Sequence, residues 1–391
     1  MNRFGKLWSG ALVVLSAALF IGPASSLYAQ QGEPEQALEL ERAGKNTEAE
    51  AAWRVVAQRE PRNAEAFAHL GLVQARQDHY ADAVTSYRRA LALNPALPGL
   101  ELNLGLALFK AQDFKGAIQP FTAALKEHPG DERIIILLGM AHYGMGDYLV
   151  AIPYLRRAAD YDRTSLPLRL ALAHSCMWSK QYQCVLDVYK QILALNADSA
   201  EADMLAGEAL DQKGDSTGAI EQFRAAVKSN PKEPNAHFGL GYLLWTQSHY
   251  PEAAEQFLAE LENDPNHAQA RVYLGDCYVQ TNQYDKAKPV LEKIVADGHA
   301  QAMVYRDLGA IYANEGRNED AVRELKQAIA LDAGDVTSHW RLARLYQAMG
   351  QKDEAKVEFQ KASTLVKRDN NQTLYDKLAS SQAQQASVSS K

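Results

Sequence analysis

Three cysteines and ten histidines are the side chains of this 391-residue chain that invite a chemical reading. His174 and Cys176 stand two apart, but zinc needs further ligands at suitable spacing, and no CxxC or HExxH accompanies them. No GxSxG elbow and no GxxxxGK[ST] phosphate loop occurs. Catalytic residues, metal ligands and cofactors are therefore all expected to be none. Gly71, Gly105 and Gly139 resemble phosphate-loop glycines until their spacing is noticed, since they stand 34 residues apart. That period points to helix packing instead.

The spacing extends through the chain. From Gln30 to Asp369 it divides into ten blocks of 34 residues without insertion or deletion, starting at Gln30, Ala64, Pro98, Glu132, Leu166, Ala200, Pro234, Ala268, Ala302 and Val336. A fixed period in this range means one stacked supersecondary unit. Position 8 is always Gly or Ala, and position 20 is Ala in nine blocks and Val185 in the other. Position 24 is aromatic or Leu, from Trp53 and Tyr87 through Phe121 to Phe359. Apolar residues at three- and four-residue steps, such as Leu104, Gly105 and Leu108, share one helical face. Position 15 is Gly in five blocks, where a left-handed residue ends a helix cheaply. Asp78, Gln112, Lys180, Ser248 and Asn282 fill it in the others. Five blocks close on Pro at position 32, which cannot continue a helix.

This pattern resembles the tetratricopeptide repeat and covers all but the two ends of the chain. The resemblance implies an all-α fold: a right-handed α-α superhelix of about ten helix-turn-helix repeats, with the first helix of each pair lining a concave groove. Two features depart from the family pattern. Arg163, Ala197, His299 and Ala333 replace the closing Pro in blocks four, five, eight and nine, and block ten lacks it as well. Block seven carries Glu260 where Ala is usual at position 27, so packing around that turn is expected to differ.

The ends read differently. Arg3 and Lys6 precede an apolar run from Leu7 to Ile21 and a small-residue stretch up to Ala29, the form of a secretory signal peptide over residues 1–29. A cut after Ala29 fits, although Leu27 is large for its place, and a cut after Ser26 is the alternative. An uncleaved anchor is the other reading, against which the apolar run is short for a span of about 20 residues. A periplasmic or secreted protein of bacterial type follows, with no stable membrane insertion once the signal is cleaved. Residues 370–391 read as a capping helix near Gln372 to Leu378 and a disordered tail from Ser380.

Without Arg3 and Lys6 the chain carries 39 basic and 48 acidic side chains, a net of −9. Block ten is +3 and the tail +1, which leaves −13 on residues 30–335. Nucleic acid is excluded as a partner by this acidic body. Cys176 and Cys184 flank the turn of block five by four residues each, so a disulfide would staple that hairpin if their Cα atoms lie within about 7 Å. Two buried thiols packing as small hydrophobes is the other reading. Cys277 takes a core-facing position.

In the family, positions 2, 5, 9 and 12 of each first helix tend to face the groove, joined at times by 6 and 13. Across blocks three to seven these are Leu102, Leu106, Phe109, Ile136, Met140, Tyr143, His174, Met177, Trp178, Met204, Phe238, Tyr242 and Trp245. Aromatics and Met are favoured at interfaces, and Met adapts to varied partners. Elsewhere the same positions turn polar, with Glu65, Asp276, Arg306, Arg344 and Gln347. Some of the thirteen would be core if the array winds tightly. The branch of the family that grips a C-terminal carboxylate uses Lys and Asn at positions 5 and 9, and no block shows that pair. A non-enzymatic scaffold binding a protein or peptide is the leading reading. An accessory to polysaccharide or outer-membrane material export, with polysaccharide contact in the groove, is the alternative. A regulatory subunit of a separately encoded enzyme is a third.

Overall fold

The computed structural model describes residues 34–371, in which twenty α-helices follow one another with no strand. The expected signal segment, the capping helix near Gln372 and the tail lie outside the described residues. No helix among those described is long and apolar enough to cross a membrane.

Each block supplies two helices. Block two forms α3 (Ala64–Arg76) and α4 (Tyr80–Leu93), and block three α5 (Leu100–Lys110) and α6 (Phe114–Glu127). Blocks four and five give α7 (Glu132–Met145), α8 (Tyr148–Tyr161), α9 (Leu166–Trp178) and α10 (Tyr182–Leu195). The packing inside a pair explains the small position 8. A Cβ added to Gly105 would stand 2.5 Å from the Phe121 ring, and one added to Gly71 would stand 2.8 Å from Tyr87. The second helix therefore drops its position-24 side chain onto bare backbone, and Tyr87 and Phe121 end fully buried.

The turn between paired helices is uniform in conformation although its sequence is not. All ten residues at position 15 have positive φ, from 56° at Lys180 to 83° at Gly214. Five of them carry a side chain in a region that costs L-residues roughly 1–2 kcal/mol. Helix starts depend on local sequence as well. Pro98 and Pro234 open blocks three and seven, and there the next residue, Gly99 or Asn235, is left-handed and the first helix begins one residue later. At the far end α20 (Lys352–Asn371) runs on through 20 residues, with no Pro to stop it.

The chain divides after Lys213 into two compact units. In the first, each helix packs on its sequence neighbour, and α3 also touches α5 and α7 touches α9. The second repeats this arrangement, with α13 (Ala236–Thr246) against α15 (Ala268–Gln280), and α15 in turn against α17 (Ala302–Asn314). The α17 helix meets α19 (Val336–Ala348) in the same way. First helices of successive blocks thus meet at α3–α5 and α7–α9 in the first unit and all along from α13 to α19 in the second, which lets residues of neighbouring blocks combine into one surface.

Candidate functional site

In the first unit the row is apolar and aromatic. Leu102, Leu106 and Phe109 on α5 are half-buried and lean on the core that contains Tyr87 and Phe121. Ile136, Met140 and Tyr143 on α7 and Met177 on α9 lean in the same way on the core of blocks four to six. Met204, on α11 (Ala200–Gln212), is half-buried too. Trp178 at the end of α9 differs, being 67% exposed.

The rings are ordered by one another. Phe109 meets Phe114 edge-on with centroids 5.2 Å apart, and Tyr143 meets Tyr148 at 5.9 Å. Tyr148 stacks on Trp178 at 6.1 Å and 19°, so one ring starts α8 and the other ends the first helix of the next block. His174 Nε2 lies 2.7 Å from Glu201 Oε1, and its ring sits 6.5 Å from that of Tyr143. Burial, then Tyr148 and Glu201, push the Tyr143 phenol up to about 12, which keeps it a neutral hydrogen-bonding group. Phe114 and Tyr148 were not among the expected site residues. Their signal was available, since position 17 is aromatic in six blocks at Tyr80, Phe114, Tyr148, Tyr182, Tyr250 and Tyr284.

Cys176 and Cys184 are joined in the structure by a disulfide between α9 and α10, with Cα atoms 5.8 Å apart. Cys176 is buried behind Met177 and Trp178, and Arg156 Nη2 lies 3.6 Å from Cys184 Sγ. Cys277 is free and buried, and burial pushes its thiol up to about 12, so it is unreactive at neutral pH.

In the second unit the row begins aromatic and turns ionic. Phe238 and Trp245 on α13 are half-buried and Tyr242 is 37% exposed. All three surround Tyr273 of α15, with Trp245 at 4.9 Å and Tyr242 at 5.5 Å. The start of α13 is fixed by Glu260, on α14 (Tyr250–Asn263), whose buried carboxylate accepts from the backbone N–H of Asn235 and of Phe238 at 3.1 and 3.0 Å. Glu260 thus serves two donors at the displaced start of α13, whereas block three, which opens in the same way on Pro98 and Gly99, keeps Ala124 at that position.

Asp276 and Arg306 do not make a solvated rim. Asp276 is fully buried and accepts from Trp245 Nε1 at 2.6 Å, Arg306 Nη2 at 2.6 Å and Gln280 Nε2 at 3.0 Å. Arg306 Nε also donates to the buried Asp307 at 3.0 Å, and Arg341 Nη1 stands 3.8 Å from the same carboxylate. Burial pushes the Asp307 carboxyl up to about 7 against the pull of Arg306. This chain of charges was legible only as polar positions, because pairing crosses about 30 residues. Among the described residues no group of three or more His, Cys, Asp or Glu could hold a metal ion.

Comparison with known proteins supports the repeat geometry. One tetratricopeptide repeat model matches residues 35–98, 70–132, 186–234, 204–268 and 238–302, a second matches 312–379 and a third 132–165. A TPR repeat-containing protein of Methanocaldococcus jannaschii is 24% identical over 152 residues, 39% of this chain and 27% of that protein. The BBSome complex member BBS4 of Xenopus tropicalis is 25% identical over 142 residues, 36% of this chain and 28% of that protein. The chain thus spans little more than a quarter of the length of these relatives. Among solved structures, the C-terminal part of a TPR repeat-containing protein from Cytophaga hutchinsonii is 16% identical with a TM-score of 0.49, covering 62% of this chain and 99% of that one. With repeat matches over most of its length and helices in consecutive packed pairs, the chain belongs to the tetratricopeptide repeat family.

Proposed function

We propose that the chain is an exported, non-enzymatic scaffold whose first-helix rows bind an extended peptide or amphipathic helix of an envelope partner. The observation that carries this reading is Trp178. Its indole stands largely in solvent and is stacked on Tyr148, whose ring in turn meets half-buried Tyr143. A large ring kept exposed and rigid gains little for folding and suits a partner's apolar side chain, since ordered aromatics dominate interface energetics. Arg3, Lys6 and the apolar run Leu7–Ile21 support export, with cleavage after Ala29.

An exposed, stacked Trp–Tyr pair also suits a sugar ring, so polysaccharide handling is the second reading. Photo-crosslinking inside living cells separates the two. A benzophenone amino acid at position 178 should give a protein adduct that protease removes and glycosidase leaves. The same probe at exposed Tyr161 should give none. Equal adducts from both positions, or adducts lost to glycosidase alone, would overturn the peptide reading. N-terminal sequencing of the adduct should return Gln30, and Met1 from a membrane fraction would refute export with cleavage.

A further inference from the structure

Two blocks carry a carboxylate at position 9 of the first helix, and the chain satisfies only one of them. In block eight it is Asp276, which takes donors from Trp245 at position 12 of the block before, from Gln280 at position 13 of its own and from Arg306 at position 5 of the block after. In block six it is Glu208, on α11. Gln212 recurs at position 13 there, with its Oε1 accepting from the Tyr182 hydroxyl at 3.3 Å. The Trp and the Arg do not recur. Position 12 of block five is Met177, and position 5 is Leu170, Met204 and Phe238 in blocks five, six and seven.

Glu208 is therefore left without the donors that its counterpart has, and it forms no hydrogen bond or ion pair with another described residue. The titratable neighbour that acts on it is His174, whose Nε2 already faces Glu201 at 2.7 Å. Solvent reaches Glu208, yet the surrounding protein desolvates it enough to push its carboxyl above the ordinary range, with His174 pulling the other way. Its setting is otherwise apolar. Met204 stands one turn before it on α11, and α9, which carries Met177 and Trp178, packs against α11. At positions 5, 9 and 12 of blocks three to six there is no Lys or Arg, and the acids there are Glu208 and Asp211.

We propose that this row binds a Lys or Arg side chain of the partner peptide, its cation on the Glu208 carboxylate and its methylene stem along Met177 and Met204. The inference rests on the peptide-binding reading above and names the chemistry of one anchor. The partner supplies to Glu208 the cation that Arg306 supplies to Asp276. A long basic side chain lays an apolar stem on such a surface and carries its charge at the tip, and thioethers adapt to its shape. A bound peptide also excludes water around the pair, which strengthens the attraction. An anionic ligand would instead meet Glu208 and Asp211.

The full chain, expressed with its export segment, is purified and used to select peptides from a random display library, in parallel with Glu208→Gln. The wild type should enrich a Lys or Arg at a fixed distance from an apolar residue, and the variant should keep only the apolar preference. The best peptide is then labelled with fluorescein and remade with its basic residue changed to Gln. Glu208→Gln and the neutral peptide should each weaken binding about fivefold or more at low salt, with no further loss when combined. Glu208→Lys should restore affinity for a peptide that carries Glu in place of its basic residue. Melting of Glu208→Gln should match the wild type or exceed it, because the carboxylate has no partner to lose. Asp160→Asn, at an exposed acid of α8, controls for general attraction to an acidic body and should leave affinity unchanged. Equal losses from Asp160→Asn and Glu208→Gln, enriched peptides without a basic position, or affinity indifferent to Glu208→Gln would sink the cation anchor and leave the scaffold reading standing. A library that yields no peptide at all would overturn both.

Discussion

Replacing Trp178 and Phe121 by Ala puts the division between groove and core to a quantitative test. Phe121 is wholly buried, and its ring lies over Gly105 too closely for any Cβ there. The backbone of α5 forms one wall, so the hole left by Phe121→Ala cannot collapse easily, and a loss of roughly 3–5 kcal/mol is expected. Trp178 has about a third of its surface covered. For a residue of this size that is about 80 Å², or roughly 2 kcal/mol at the upper bound for burial, stacking on Tyr148 included. Binding should respond in the opposite order, with Trp178→Ala costing about 2 kcal/mol or more of affinity. Denaturant melts followed by circular dichroism and titrations with a library-selected peptide read both quantities. Trp178→Ala melting as early as Phe121→Ala with affinity intact would refute the assignment. Tyr242→Ala should resemble Trp178→Ala. Trp245→Ala should not, because it also removes a donor from the buried Asp276.

Three further outcomes are expected. Lys180→Gly and Gln112→Gly should each stabilise the protein by about 0.5 kcal/mol in thermal melts, the relief of left-handed strain exceeding the entropy gained by the unfolded chain, whereas Gly146→Ala should destabilise it by about 1 kcal/mol. Asp307 has a folded-state pKa raised from 3.8 to about 7, so between those values the folded form holds the extra proton. Its contribution to stability is full below pH 4 and is lost as pH rises through 7, and Asp307→Asn should flatten that slope in melts between pH 5 and 8. Cys176→Ala/Cys184→Ala should lower stability by about 2.5 kcal/mol, the value for a loop of this separation, and an equal midpoint with and without dithiothreitol in wild type would show that the bridge does not form.

What could be read from the sequence is what recurs in phase. Gly or Ala at position 8, Ala at 20 and a ring or Leu at 24 each report the same contact ten times, so one exception such as Val185 does not obscure it. The left-handed turn was legible from five glycines, and Lys180 or Ser248 adopts it because the flanking helices impose it on whatever residue stands there. Residues that act once were not legible. Glu260 caps the displaced start of α13 from more than twenty positions away, while Ala124 stands at the matching place of block three, so no repeated pattern announces the contact. Tyr148 and Phe114 repeat in phase, yet they open second helices, and their contacts with first helices, Phe114 on Phe109 of its own block and Tyr148 on Trp178 of the next, appear only once the helices are packed.

The second unit shows where the independence of groove and core breaks down. In a stacked array positions 8, 20 and 24 hold the repeats together, and groove positions are free to change with the partner. Asp276 and Arg306 stand at groove positions 9 and 5 of successive blocks, and there the pairing of opposite charges has drawn both inward. Asp276 can bear full burial because Trp245, Gln280 and Arg306 all donate to it, and a buried carboxylate is tolerable only when so satisfied. Asp307 lacks that support. Arg306 serves one of its oxygens, and Oδ2 is buried without a hydrogen bond. The weak point of the network is therefore Asp307, next to the guanidinium of Arg341. Protonating Asp307 removes the charge that is least well satisfied in this network, so the wild type should melt higher at pH 5 than at pH 8 while Asp307→Asn keeps a flatter profile. A wild-type midpoint that changes over that range no more than that of Asp307→Asn would mean that Asp307 does not govern the network.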